Sequence, residues 1–197
     1  MKKWNIGWGT VAACNMKCQF CYSKERRKQG QPLGLTEWKK FIDQNYEKIN
    51  TINYGTGENS INDDWFKLVY YVREKYPDIR QALTTNGFFS ERIKNQELYE
   101  MATKAIDEFD ISLDFCVAEK HAELRGQKDA FNWALNTLKY CNENNKDATI
   151  VFLGSKINLN KENIKGLFKI AKDYNAKLRM NLYRPTEGID EISKRFI

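Results

Sequence analysis

Six short β-like runs alternate with helical patterns along these 197 residues, and nothing else in the chain constrains the fold as tightly. The runs are Trp4–Trp8, Ile49–Tyr54, Ile79–Thr84, Phe109–Leu113, Thr149–Leu153 and Lys177–Tyr183. Between them, Trp65, Leu68, Val69, Val72 and Tyr76 recur at helical spacing. So do Phe131, Ala134, Leu135, Leu138 and Cys141, and then Ile164, Leu167, Phe168, Ala171 and Tyr174. Thr36 and Ser90, each followed by Glu, read as helix N-caps. Strand followed by helix six times over is the rhythm of a parallel sheet, and right-handed crossovers leave an open doubly wound sheet or an arc of a barrel. Both architectures put chemistry in the loops after the strand C-termini.

The unusual polar or glycine-bearing pieces follow those strands. CNMKCQFC (14–21) follows the first and GTGEN (55–59) the second. TTNG (84–87) closes the third, and Asp114 with Cys116 the fourth. Asn158 and Asn160 come after the fifth, and Arg184 after the sixth. Six pieces at one rim are expected to form one site.

With 42% hydrophobic and 29% charged residues, the chain has material for a sizeable core and is no disordered tail. No run is apolar for 18 residues, so no membrane span is expected, and the start MKKWNIGWGT lacks a signal-peptide core. A cytoplasmic protein is expected. The net charge of +6 favours anionic partners but is too mild to argue for nucleic acid. Its densest basic stretch, KERRK (24–28), reads as a solvated loop or helix face.

Three of the five cysteines stand as C-x3-C-x2-C at Cys14, Cys18 and Cys21. In a chain without secretion signals such clustering points to metal or redox chemistry rather than a disulfide framework. A structural zinc needs a fourth ligand, and the single histidine, His121, lies far downstream inside a helical pattern. A four-iron cluster fits better: four-iron cubes take four thiolates, so three leave one iron open, the mark of a catalytic rather than a structural metal.

This motif after a first strand, with Phe20 before the last cysteine and Tyr22 after it, resembles the radical S-adenosylmethionine (radical SAM) superfamily. The resemblance covers essentially the whole chain. It implies a six-stranded partial (β/α)6 TIM-like barrel with a parallel sheet. It implies a [4Fe-4S] cluster on Cys14, Cys18 and Cys21, whose open iron takes the amino and carboxylate groups of S-adenosylmethionine. Reductive cleavage then yields a 5′-deoxyadenosyl radical that abstracts hydrogen from a substrate. Residue by residue, Phe20 and Tyr22 match positions against the adenine. Gly55, Thr56, Gly57 and Glu58 match a glycine-glycine-glutamate motif holding the methionine amino group, with Thr56 as a departure from it. Thr85 and Asn86 match the third-strand loop. Ser112 and Asp114 match positions near ribose and substrate, Arg125 one facing the SAM carboxylate, and Arg184 the sixth strand's rim.

SLDF, HAELRG, NKEN and NLYRP read most like the peptide-modifying maturases, some of which carry auxiliary clusters in a C-terminal SPASM domain. A ribosomally made peptide undergoing crosslinking, epimerisation or excision is the substrate this implies. A radical SAM activase or small-molecule enzyme is the alternative, and a non-catalytic iron–sulfur or zinc protein the reading from another class. After the trio only Cys116 and Cys141 remain, too few for an auxiliary cluster. Residues 1–184 are expected to form the core. Residues 185–197 are then a tail, either closing a stand-alone core or beginning an extension. Cys141 reads as a buried thiol; Cys116 reads as a bystander or as a hydrogen donor to a substrate radical. The expected partners are a reduced flavodoxin or ferredoxin and, with no leader-binding domain ahead of the first strand, a recognition partner or the basic stretch near Arg26 and Arg27.

Overall fold

The structure, a computed structural model, describes residues 3–23, 33–184 and 193–197. The basic stretch 24–28 and most of the expected tail lie outside these residues. Six parallel strands, β1 (Trp4–Trp8), β2 (Ile49–Tyr54), β3 (Arg80–Thr85), β4 (Glu108–Ser112), β5 (Asp147–Gly154) and β6 (Lys177–Leu182), pair in sequence order into one curled half-barrel. The helices between them are α1 (Leu35–Asn45), α2 (Asp63–Lys75), α3 (Phe89–Arg92), α4 (Gln96–Ala105), α5 (Ala118–Arg125), α6 (Ala130–Glu143) and α7 (Lys161–Asp173). Among the described residues, no helix is long and apolar enough to cross a membrane.

Strand side chains alternate between two faces. The outward set, including Ile52, Tyr54, Leu83, Phe109, Ile111, Ile150 and Phe152, is buried under the helices. From α2 come Trp65, Phe66, Leu68, Val69 and Val72, all fully buried. At about 1.5–3 kcal/mol for each large apolar side chain removed from water, this layer holds the half-barrel together. A polar residue inside it, Gln81, is satisfied. Its amide donates to Val69 O and Ala105 O, and its carbonyl accepts from Tyr54 Oη at 2.8 Å. The inward face is polar. Thr84 Oγ1 donates to Asn53 Oδ1, and Arg179 pairs with Asp110 at 2.7 Å.

Two expected caps move. Helix α1 starts at Leu35, and its cap is Gly34, whose N–H donates to Glu37 Oε2 at 3.0 Å; Thr36 sits inside the first turn. Ser90 likewise lies inside α3, where Oγ donates back to Gly87 O. Phe168, expected on the packed stripe of α7, faces outward at 60% exposure, whereas Leu167 and Ala171 are buried. Helix α5 gave no apolar periodicity because the residues it buries, His121, Leu124 and Arg125, are mostly polar.

Candidate functional site

At the C-terminal rim of β1–β4 lies a cavity of about 150 Å³. Cys14, Cys18 and Cys21 all line it, with Phe20, Tyr22, Ser23, Thr56, Gly57, Thr84, Thr85, Asn86, Ser112 and Arg125. All three thiols are free of disulfides.

The cysteine loop is held by the loop after β2. Gly57 stands at φ +64°, and a Cβ there would lie 2.4 Å from the carbonyl oxygens of both Val11 and Ala13. Only glycine satisfies both the left-handed backbone and that approach. Thr56, at φ +73°, occupies the same region without being glycine, a strain of the kind that collects at functional loops. The Glu58 N–H donates to Ala13 O at 2.8 Å, and Thr10 Oγ1 donates to Asn59 Oδ1 at 2.6 Å. Gly57 thus admits the chain's own backbone on one side while lining the cavity on the other.

Glu58 differs in place from the expectation. It is fully buried and does not line the cavity. Its carboxylate accepts from Ser60 Oγ at 2.6 Å, Thr85 Oγ1 at 2.9 Å and the Asn86 N–H at 2.7 Å. Burial pushes its carboxyl above the usual range, against the opposing pull of these hydrogen bonds. The side chain clasps the β2 loop to the β3 loop. Gly55 carries the pairing one step past β2 by donating to Trp8 O.

Asp114 is also fully buried and outside the lining. Its Oδ2 accepts from Arg125 Nε and Nη2, both at 2.6 Å, and its Oδ1 from the Leu153 N–H at 2.8 Å. It fixes Arg125, which does line the cavity, 5.0 Å over the Phe20 ring and with Nη1 3.9 Å from Cys18 Sγ. Burial pushes the Cys18 thiol up, and Arg125 draws it back only in part.

His121 sits apart from the cysteines. Its Nδ1 accepts from the Asp114 N–H, and burial, followed by the charge of Arg125, lowers its pKa to about 4, so it is neutral. Among the described residues no three His, Cys, Asp or Glu side chains gather as a single metal ion requires. A cube asks for a wider set, since its cysteines serve an assembly of four irons rather than one. Three thiols outside any disulfide, on one cavity wall, meet that demand.

Cys116 turns elsewhere. Its Sγ lies 2.3 Å from where a Cβ on Gly166 of α7 would be, and it packs against the core rather than lining the cavity. That notch explains a glycine inside α7. Cys141 is buried on the apolar face of α6. Asn158 and Asn163 are buried; both donate to Asp114 O, and Asn160 caps α7. Arg184 is exposed two residues past β6. The rim pieces after β1 to β3 therefore meet at the cavity, joined by Ser112 at the end of β4 and Arg125 of α5, while Asp114, Cys116 and the pieces after β5 and β6 do not line it. Thr84 lines it as part of TTNG; Ser23 lines it without having been singled out, because a lone hydroxyl beside a motif leaves no spacing signal in a sequence.

A family model described as the radical SAM superfamily matches residues 10–171. The mycofactocin maturase MftC of Mycolicibacterium smegmatis is 27% identical over 184 residues, covering 92% of this chain and 45% of that protein. The Fe-coproporphyrin III synthase of Methanosarcina barkeri is 27% identical over 168 residues, covering 84% and 39%. The chain thus spans less than half the length of these curated relatives. Streptococcus suis SuiB bound to S-adenosylmethionine shares the fold with a TM-score of 0.79 at 19% identity, over 100% of this chain and 43% of that one.

Proposed function

The chain belongs to the radical SAM superfamily, and on that premise we propose that it is the catalytic core of a SAM-cleaving enzyme that modifies a peptide. The observation that carries this is the meeting of Cys14, Cys18 and Cys21 on one wall of a cavity whose other walls are Thr56, Gly57, Asn86, Ser112 and Arg125. When bound, a [4Fe-4S] cluster and S-adenosylmethionine supply the electron transfer and the carbon radical that start the reaction.

The chain's own residues bind and orient. The three thiolates hold the cluster. Phe20 and Tyr22 offer ring surface at the mouth, Tyr22 with 64% of its surface exposed. Thr56, Gly57, Thr85, Asn86 and Ser112 line the pocket with backbone and small polar groups suited to a polar cofactor. Gly55, Glu58 and Asp114 act through their neighbours, by pinning the loops and Arg125. Arg184, at the far rim, is left to the substrate.

A peptide substrate is supported by likeness to a maturase, MftC, and by the shared fold with SuiB, also solved bound to its precursor peptide SuiA (TM-score 0.77, 19% identity, 93% of this chain and 40% of that one). A second reading, a tetrapyrrole or other small molecule, is favoured by the synthase relative at equal identity. A reduced flavodoxin or ferredoxin as electron donor, a leader-recognition partner and a cytoplasmic setting complete the proposal.

Anaerobic reconstitution tests it. Wild-type protein is expected to bind about four irons and, with dithionite, to convert SAM to 5′-deoxyadenosine. Cys18→Ala should abolish that product. Bound zinc, or a cluster that leaves SAM intact, would remove the enzymatic reading. Product formation with a precursor peptide rather than a porphyrin decides between the two substrates.

A further inference from the structure

Each of the three motif sulfurs has a polar side chain of its own beside it, drawn from a different part of the chain. Asn86 Nδ2 donates to Cys14 Sγ at 3.6 Å, from the loop after β3. Arg125 Nη1 reaches Cys18 Sγ at 3.9 Å, from the last turn of α5. Ser23 Oγ lies 3.3 Å from Cys21 Sγ, two residues along. The sulfurs here are thiols standing in for the thiolates of a loaded site; a thiolate has no proton to give, so Ser23 then donates. All three donors are at least nine-tenths buried. Two of them are also held in place. Asn86 Oδ1 accepts from the Phe88 N–H, and Arg125 is gripped through Nε and Nη2 by Asp114. The two cysteines outside the motif are set differently, Cys141 in the apolar face of α6 and Cys116 against Gly166.

Hydrogen bonds to cluster sulfurs, and a cation beside one of them, favour the more negative, reduced state. Resting on the cluster reading above, we infer that Asn86, Arg125 and Ser23 form a donor set that raises the cluster's reduction potential, with Arg125 as its main member. These are positioning and tuning residues. One edge of Arg125 is committed to Asp114, and Nη1 is the nitrogen that reaches Cys18.

The test is a redox titration of iron-loaded protein followed by electron paramagnetic resonance. Arg125→Gln should shift the reduction equilibrium at least about tenfold toward the oxidised cluster, or about 59 mV for a one-electron couple. Arg125→Lys, which keeps the charge, should recover most of it. Because Arg125→Gln strands Asp114, two gentler variants stand beside it. Asn86→Asp keeps the acceptor for Phe88 while removing the donor, and Ser23→Ala removes one hydroxyl. Both should lower the potential, Ser23→Ala least. Iron content equal to wild type with unmoved potentials would overturn the inference alone. Wild-type protein that takes up no iron would overturn the cluster reading beneath it as well.

Discussion

The two halves of the half-barrel follow the same strand–helix grammar and use it differently. Loops after β1, β2 and β3 converge on one cavity, with Ser112 of β4 and Arg125 of α5 closing it. The loop after β5 turns inward on the scaffold: Asn158 and Asn163 spend their amides on the Asp114 carbonyl, and Ser155 N–H donates to Asn158 Oδ1 at 2.8 Å. Strand β6 is mostly exposed, with Met180 and Leu182 facing solvent. Polar residues at one rim are thus not equivalent. What separates them is whether their hydrogen-bonding capacity is consumed by the chain or left facing the cavity.

The sharpest way to break this division lies in the first half. Gly57→Ala forces a Cβ into two carbonyls from a left-handed backbone. We expect a loss of about 3 kcal/mol or more, read from a urea midpoint, together with loss of iron uptake. A protein of wild-type stability that still takes up iron would show that the cysteine loop does not depend on this approach.

His121 sharpens it next, since it sits where the halves join. Its folded pKa of about 4 lies below the ordinary 6.5. Below 6.5 the unfolded chain binds a proton that the folded chain refuses, so stability falls as pH drops from 6.5 to 4. The loss should approach about 3 kcal/mol and should flatten in His121→Gln. An unchanged slope in that variant would place the effect elsewhere.

In the second half, Asn158→Ala strands buried partners and should cost about 1–3 kcal/mol. SAM cleavage by the protein that remains folded should be unchanged. Abolished cleavage at wild-type stability would move the loop after β5 into the chemistry. The smallest effect belongs to Arg184→Ala: within about 0.5 kcal/mol in stability and none on 5′-deoxyadenosine formed without substrate. A change in that basal product would join the sixth rim to the cavity.

Much of the fold was legible because the strands are short apolar runs and α2, α6 and α7 carry clear stripes; the observed strands shift from the expected ones by at most two residues at either end. Helix α5 was not legible, since a helix that buries an arginine and a histidine has no apolar stripe to read. At the site, the spacing of Cys14, Cys18 and Cys21 was legible because one centre imposes it locally. The places of Glu58, Asp114 and Cys116 were not. Each is decided by partners far off in sequence: Asn86 for Glu58, Leu153 for Asp114, and Gly166 for Cys116. A carboxylate in a promising motif looks the same whether it will meet a ligand or its own backbone.

The distance in sequence between the motif thiols and their donors also has a consequence in time. Asn86 lies 72 residues beyond Cys14, and Arg125 lies 107 beyond Cys18. On a ribosome the cysteines emerge first, and at 5–20 residues per second the arginine follows about 5–20 s later. For that interval the nascent chain carries three thiols without a complete α5, and for its first part without β3, to shelter them. Oxygen or a stray metal has its easiest access then, before the barrel has curled around its own first loop.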